Sequence, residues 1–212
     1  MSGITAVERH DLVRRGLRLQ RFSIAWNLGE ALLSIAAGVI ARSTALIAFG
    51  ADSLIEMASA LAVVWRLHRD RDQARRDRAE RASLRIVGAC FIALAIYVAS
   101  ESAFALLRHE APERSFLGIG VAIGSLIAMP LLASAKRRVA ADIGSNAMRS
   151  DAKQADFCAY LSGILLAGLL FNAVFGWWWA DPSASLIMAP IIFSEGVAGF
   201  KGRNCCTGCA HE

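Results

Sequence analysis

Long apolar runs separated by short charged segments dominate the chain. Runs at about 22–41, 45–65, 84–107, 116–135, 157–179 and 183–200 each approach the roughly 20 apolar residues that a helix needs to cross a bilayer. The pattern predicts an all-α membrane protein, a six-transmembrane-helix bundle with short connections from the third span onward. Local signals mark the ends. Trp65 suits an interface, the run Arg66–Arg81 is too charged for lipid, Pro112 parts spans three and four, and Trp177, Trp178 and Trp179 precede Asp181-Pro182.

Composition agrees with the pattern, since 56% of the 212 residues are hydrophobic and mean hydropathy is +0.45. The net charge of +5 raises the question of nucleic acid, but no recognition motif or finger spacing accompanies it. Charge marks topology instead. Of 23 Lys and Arg, 20 fall in residues 1–21, 66–85, 136–153 and 201–203, and only Arg42, Arg108 and Arg114 lie in the opposite loops. By the positive-inside rule both termini are cytoplasmic. No A-x-A-like cleavage site follows the first apolar run, so it reads as a retained span. The chain divides into a basic cytoplasmic segment at 1–21, a six-helix transmembrane unit at 22–200 and a Cys-rich cytoplasmic tail at 201–212. An integral, multi-pass protein of the plasma (inner) membrane of a prokaryote is expected.

The informative residues break the apolar rule. Asn27, Glu30, Asp52, Glu56, Glu101, Gln154, Asp156, Cys158 and Asn172 all lie in or beside the expected spans. A central carboxylate costs roughly 2.5–3.5 kcal/mol, so Glu30, Asp52, Glu56 and Glu101 together would cost on the order of 10 kcal/mol without partners, water or cations. Asp52 and Glu56 are four apart and share one helical face, where two carboxylates can reach one divalent ion. An ion pair would be the structural alternative, but no basic residue is expected at their depth. Asn27, Ser34, Gly38 and Asn172 read as interhelical packing or hydrogen-bonding residues.

A short internal echo adds a second half to the site. Aligning Ser43 with Ser145 matches S-x-A-[LM] and sets Gln154 opposite Asp52 and Cys158 opposite Glu56. Asp151, Gln154, Cys158 and Ser162 share a face, with Asp151 at the cytoplasmic mouth, while Asp156 points about 200° from Gln154 and stands as the rival ligand.

These residues resemble the cation diffusion facilitator (cation efflux) family. The carriers are Asn27, S-T-A-L-I-A-F-G-A-D-S-L-I-E at 43–56, Glu101, G-S-N-A-M-R-S-D-A at 144–152 and A-D-P-S-A-S-L at 180–186. The resemblance implies a metal site at Asp52, Glu56, Gln154 and Cys158, with Asn27, Glu30, Asp151 and Asp156 as accessory candidates. It also implies transport rather than enzymatic chemistry. The expected activity is export of a divalent metal cation, zinc favoured, in exchange for protons, with no permanently bound cofactor. Three departures stand out: Gln154 and Cys158 replace the family's usual His or Asp and Asp, Glu56 replaces the commoner Asp, and the family's C-terminal cytoplasmic domain is absent, so this is a short form. The lipid bilayer, the metal ion and protons are the expected partners, a homodimer is left open, and nucleic acid is not expected. A non-transporting membrane metal sensor or partner-binding subunit is the alternative. In the tail, Cys205, Cys206, Cys209 and His211 form a candidate for soft-metal capture, against reduced thiols or palmitoylation.

Overall fold

A backbone in hydrocarbon has to satisfy its own N–H and C=O groups, and every apolar run does so as a helix. The computed structural model describes residues 6–68, 73–109 and 112–201. Six helices account for nearly all of them: α1 (Ala6–Ala41), α2 (Thr44–His68), α3 (Gln73–Arg108), α4 (Phe116–Ile143), α5 (Asn146–Phe175) and α6 (Ala180–Phe200). Each contains a stretch long and apolar enough to cross a membrane. The chain is therefore an integral, multi-pass membrane protein.

Helix boundaries differ from the sequence expectation where polar residues were read as loop. The first membrane-competent stretch runs from Leu12 rather than from about 22, α4 continues to Ile143, and α5 begins at Asn146 rather than near 157. Only Gly144 and Ser145 separate α4 from α5. Gly144 takes the left-handed conformation at φ 66° that ends α4, and Ser145 Oγ accepts from the Met148 N–H to start α5. Gly176 ends α5 in the same left-handed way at φ 67°, short of the Trp cluster.

α1 shows how lipid inverts the ordinary sorting of residues. Its buried face reads Gln20, Ser23, Asn27, Glu30 and Ser34, each at most 4% exposed, while Leu32, Val39 and Ile40 are 62–74% exposed. Lipid receives the apolar side chains and the bundle interior receives the polar ones.

Four helices close a ring. α1 packs on α2 and α4, and α5 packs on the same two. α3 and α6 form a separate pair beside it, joined through α5–α6, α2–α3 and α2–α6 contacts. Packing depends on small residues, and among the described residues 15 of the 31 buried apolar ones are alanine. Small side chains let backbones approach where no hydrophobic force drives helices together. The extreme case is α3 against α6, where a Cβ on Gly88 would lie 2.3 Å from the Phe200 nitrogen and one on Gly196 would lie 2.9 Å from the Ile92 nitrogen.

Polar contacts tie the loops and helix starts. Asn172 donates to the Pro112 carbonyl at 3.1 Å, the packing role expected of it. At the start of α2, Ser43 Oγ accepts from the Leu46 N–H at 3.1 Å and donates to the buried Asp181 carboxylate at 2.6 Å. Asp181 thus places an anion at the N-terminus of α2, where the helix dipole favours it, and fixes the start of α6 to the start of α2.

Three substitutions test this packing. Gly88→Leu should lower stability by about 1–3 kcal/mol through overpacking, whereas Gly120→Leu, with nothing within 4 Å of its Cβ position, should not. Asp181→Ala should cost about 1–3 kcal/mol because Ser43 and the helix start lose a buried acceptor. Thermal unfolding in detergent measures all three.

Candidate cation-binding site

The polar faces of the four ring helices meet inside the ring. Asp52 lies eight residues into α2, about 12 Å along its axis, and Cys158 lies twelve residues into α5, about 18 Å along. Both are close to mid-bilayer depth. Asp52 is 2% exposed, Glu56 1%, Glu30 4% and Cys158 0%.

One residue from each ring helix contributes to the centre. Glu30 of α1 accepts from Ser53 Oγ of α2 at 2.8 Å, and its same oxygen lies 3.9 Å from Cys158 Sγ of α5. Ser125 of α4 stands 3.9 Å from the same sulfur. Asp52 faces the Cys158 thiol from α2, with Glu56 one turn along. Asn27 lies beside Glu56 without reaching hydrogen-bonding geometry.

This centre is incompletely satisfied. Both Glu56 oxygens, Glu30 Oε1, both polar atoms of the Asn27 amide and Ser34 Oγ are buried with no hydrogen-bond partner. Leaving such a group unpaired costs about 1–3 kcal/mol, more when it is charged. Among the described residues no three His, Cys, Asp or Glu side chains stand close enough to grip a metal ion as they are. Donors of the right kind are gathered, but coordination requires them to close up.

A second cluster lies next to the first, toward the α4–α5 turn. Lys136 of α4 is fully buried, and its ammonium contacts Asp151 Oδ2 of α5 at 2.8 Å, Ser23 Oγ of α1 at 2.8 Å and Glu56 Oε1 of α2 at 3.9 Å. Gln20 Nε2 donates to the same Asp151 oxygen at 2.8 Å. The expectation that no basic residue reaches the depth of the Asp52/Glu56 pair is therefore incorrect. The apolar run of the fourth span ends at about 135 and so leaves Lys136 in the cytoplasmic segment 136–153, but α4 extends past it to Ile143 and turns it inward. Its place on the buried face was visible in the spacing Ser125, Met129, Leu132, Lys136, Val139, which repeats at three and four.

The remaining candidates fall into clear positions. Asp151 is 1% exposed and engaged by Lys136 and Gln20, so it plugs the interior rather than lining an open mouth. Gln154 is half-buried, and its side chain makes no hydrogen bond to a described residue. Asp156 turns outward and pairs with Arg137 of α4, away from the centre. Glu101 stands on the exposed face of α3, while the neighbouring Ser102 is the one turned inward. Cys205, Cys206, Cys209 and His211 lie outside the described residues.

Sequence reasoning undervalued Glu30 and missed Ser53, Ser125, Gln20 and Ser23. Glu30 has no same-helix acid partner, so only the fold reveals that it meets Cys158.

No curated relative matches the chain. A family model described as the cation efflux transmembrane domain matches residues 21–201. That span covers α1 from residue 21 onward and the whole of α2 to α6, including Glu30, Asp52, Glu56, Lys136 and Cys158, and the chain belongs to the cation efflux family of membrane transporters.

Proposed function

We propose that the protein exports a divalent metal cation, with zinc the best fit, in exchange for protons. The observation that carries this reading is the convergence of Glu30, Asp52, Glu56 and Cys158 from three helices of the ring, with carboxylate oxygens left unpaired at depth. Oxygen and thiolate donors, once drawn together around an ion, suit zinc, and the sulfur favours soft ions over magnesium or calcium. Asp52, Glu56 and Cys158 are the principal ligands in this reading. Gln154 completes the set by a rotamer change or gives way to Glu30.

Charge balance supports the exchange with protons. Inside the ring, Glu30, Asp52, Glu56 and Asp151 are four buried carboxyl groups against the one buried lysine, Lys136, while the fifth buried acid among the described residues, Asp181, sits apart at the head of α2. Three positive charges are needed if all four are ionised. A divalent ion supplies two of them, and protons supply them when the metal leaves. Metal and protons thus compete for the same oxygens.

Orientation follows from the basic residues. With Lys136 removed from the loop tally, 19 of the other 22 Lys and Arg still fall on the side of the termini. By the positive-inside rule this supports cytoplasmic termini, and in this reading export runs outward. In the same reading the Cys205, Cys206, Cys209 and His211 tail presents soft ligands on the side from which metal enters.

Two measurements test the assignment. In proteoliposomes, Asp52→Asn should cut zinc-driven lumenal pH change at least ~10-fold, since even outer-shell changes cost about 10–100-fold in metal affinity. An unchanged signal overturns the site, and zinc binding without flux in the parent protein identifies a sensor instead. Cys158→Asp should shift preference from cadmium toward manganese, read as the ratio of the two fluxes, because a hard donor replaces a soft one.

A further inference from the structure

Among the described residues, Lys136 is the one buried side chain whose charge has the sign of the cargo. Its ammonium is fully buried and is gripped by one group from each of the other ring helices: Ser23 of α1 and Asp151 of α5 at 2.8 Å, and Glu56 of α2 at 3.9 Å. These contacts are unequal in kind. Asp151 is a full partner, itself braced by Gln20 at 2.8 Å. Glu56 is attracted without being bonded, and neither of its oxygens has a hydrogen-bond partner.

That asymmetry distinguishes a stand-in from a structural brace. A brace needs only Asp151. The longer contact to Glu56 leaves that carboxylate held in place yet free to turn one helical step toward Asp52 and Cys158 when a metal arrives. An unpaired carboxylate inside a low-dielectric bundle is costly, and an ammonium nearby offsets part of that cost.

We propose that Lys136 is a tethered stand-in for the transported cation: it balances Glu56 in the metal-free carrier while protons occupy the other acids, yields it to the incoming metal while keeping Asp151, and so allows the metal-free carrier to complete its return. It is a positioning residue that acts through Glu56 and does not touch the metal. This inference rests on the transport reading above. In its terms, the loaded carrier does not need Lys136 and the empty one does.

Two flux assays on proteoliposomes separate these states. Exchange of labelled for unlabelled zinc across the membrane uses only loaded carriers, whereas net zinc uptake requires the empty carrier to return. Lys136→Met should lose at least ~10-fold in net uptake while keeping exchange, and exchange should saturate at lower zinc because Glu56 has lost its competitor. Lys136→Arg should recover much of the net uptake. The double variant Lys136→Met/Asp151→Asn removes the buried pair together and leaves Glu56 without its balance, so it should remain defective in net uptake. Recovery of net uptake in the double variant means that Lys136 only neutralises Asp151, which overturns the proposal. So does parental behaviour of Lys136→Met in both assays, or an equal loss of exchange and net uptake in both variants. If the parent protein itself shows neither exchange nor net uptake, it is the transport reading that fails.

Discussion

Lipid offers no partner to a carboxylate, and the architecture of this protein follows from where its acids can be hidden. Four helices enclose a central space because Glu30, Asp52, Glu56 and Asp151 have to face one another, Lys136 or a cation, and not hydrocarbon. The same constraint explains why α1 buries Gln20, Ser23 and Asn27 while presenting Leu32, Val39 and Ile40 outward. A soluble protein would sort these residues in the opposite sense.

α3 and α6 answer a different need. Among the described residues neither supplies a hydrogen-bond partner to Glu30 or Cys158, and their glycines Gly88 and Gly196 pack backbone against backbone. The ring therefore carries the chemistry and the pair supports it. Asp181 joins the two parts at the helix starts by holding Ser43 at the head of α2.

The apolar runs made the six helices legible because hydropathy over about 20 residues is a strong signal, and the i,i+4 spacing of Asp52 and Glu56 made their shared face legible as well. Boundaries were less so at Lys136, Asp151 and Gln154, because a charged residue near a span end has the same composition whether it lies in a loop or points inward. The internal echo led to Cys158, which the fold does bring to Asp52 and Glu30. It gave Gln154 a weight that its half-buried position does not match. Glu30 is the opposite case, since its importance comes from contacts with residues 23 and 128 positions away, and no local pattern contains them.

An interior made largely of alanine and buried polar groups has a consequence for how this molecule comes apart. Many of its large apolar side chains already face hydrocarbon, and those packed inside, such as Phe49 and Leu161, would meet lipid, so separating the helices within a membrane exposes little new apolar surface to water. The heat-capacity increase and the steep denaturant dependence that accompany unfolding of a water-soluble core both scale with such exposure. Separation of these helices carries little of either, and its enthalpy comes chiefly from lost van der Waals contact and from the ion pair at Lys136.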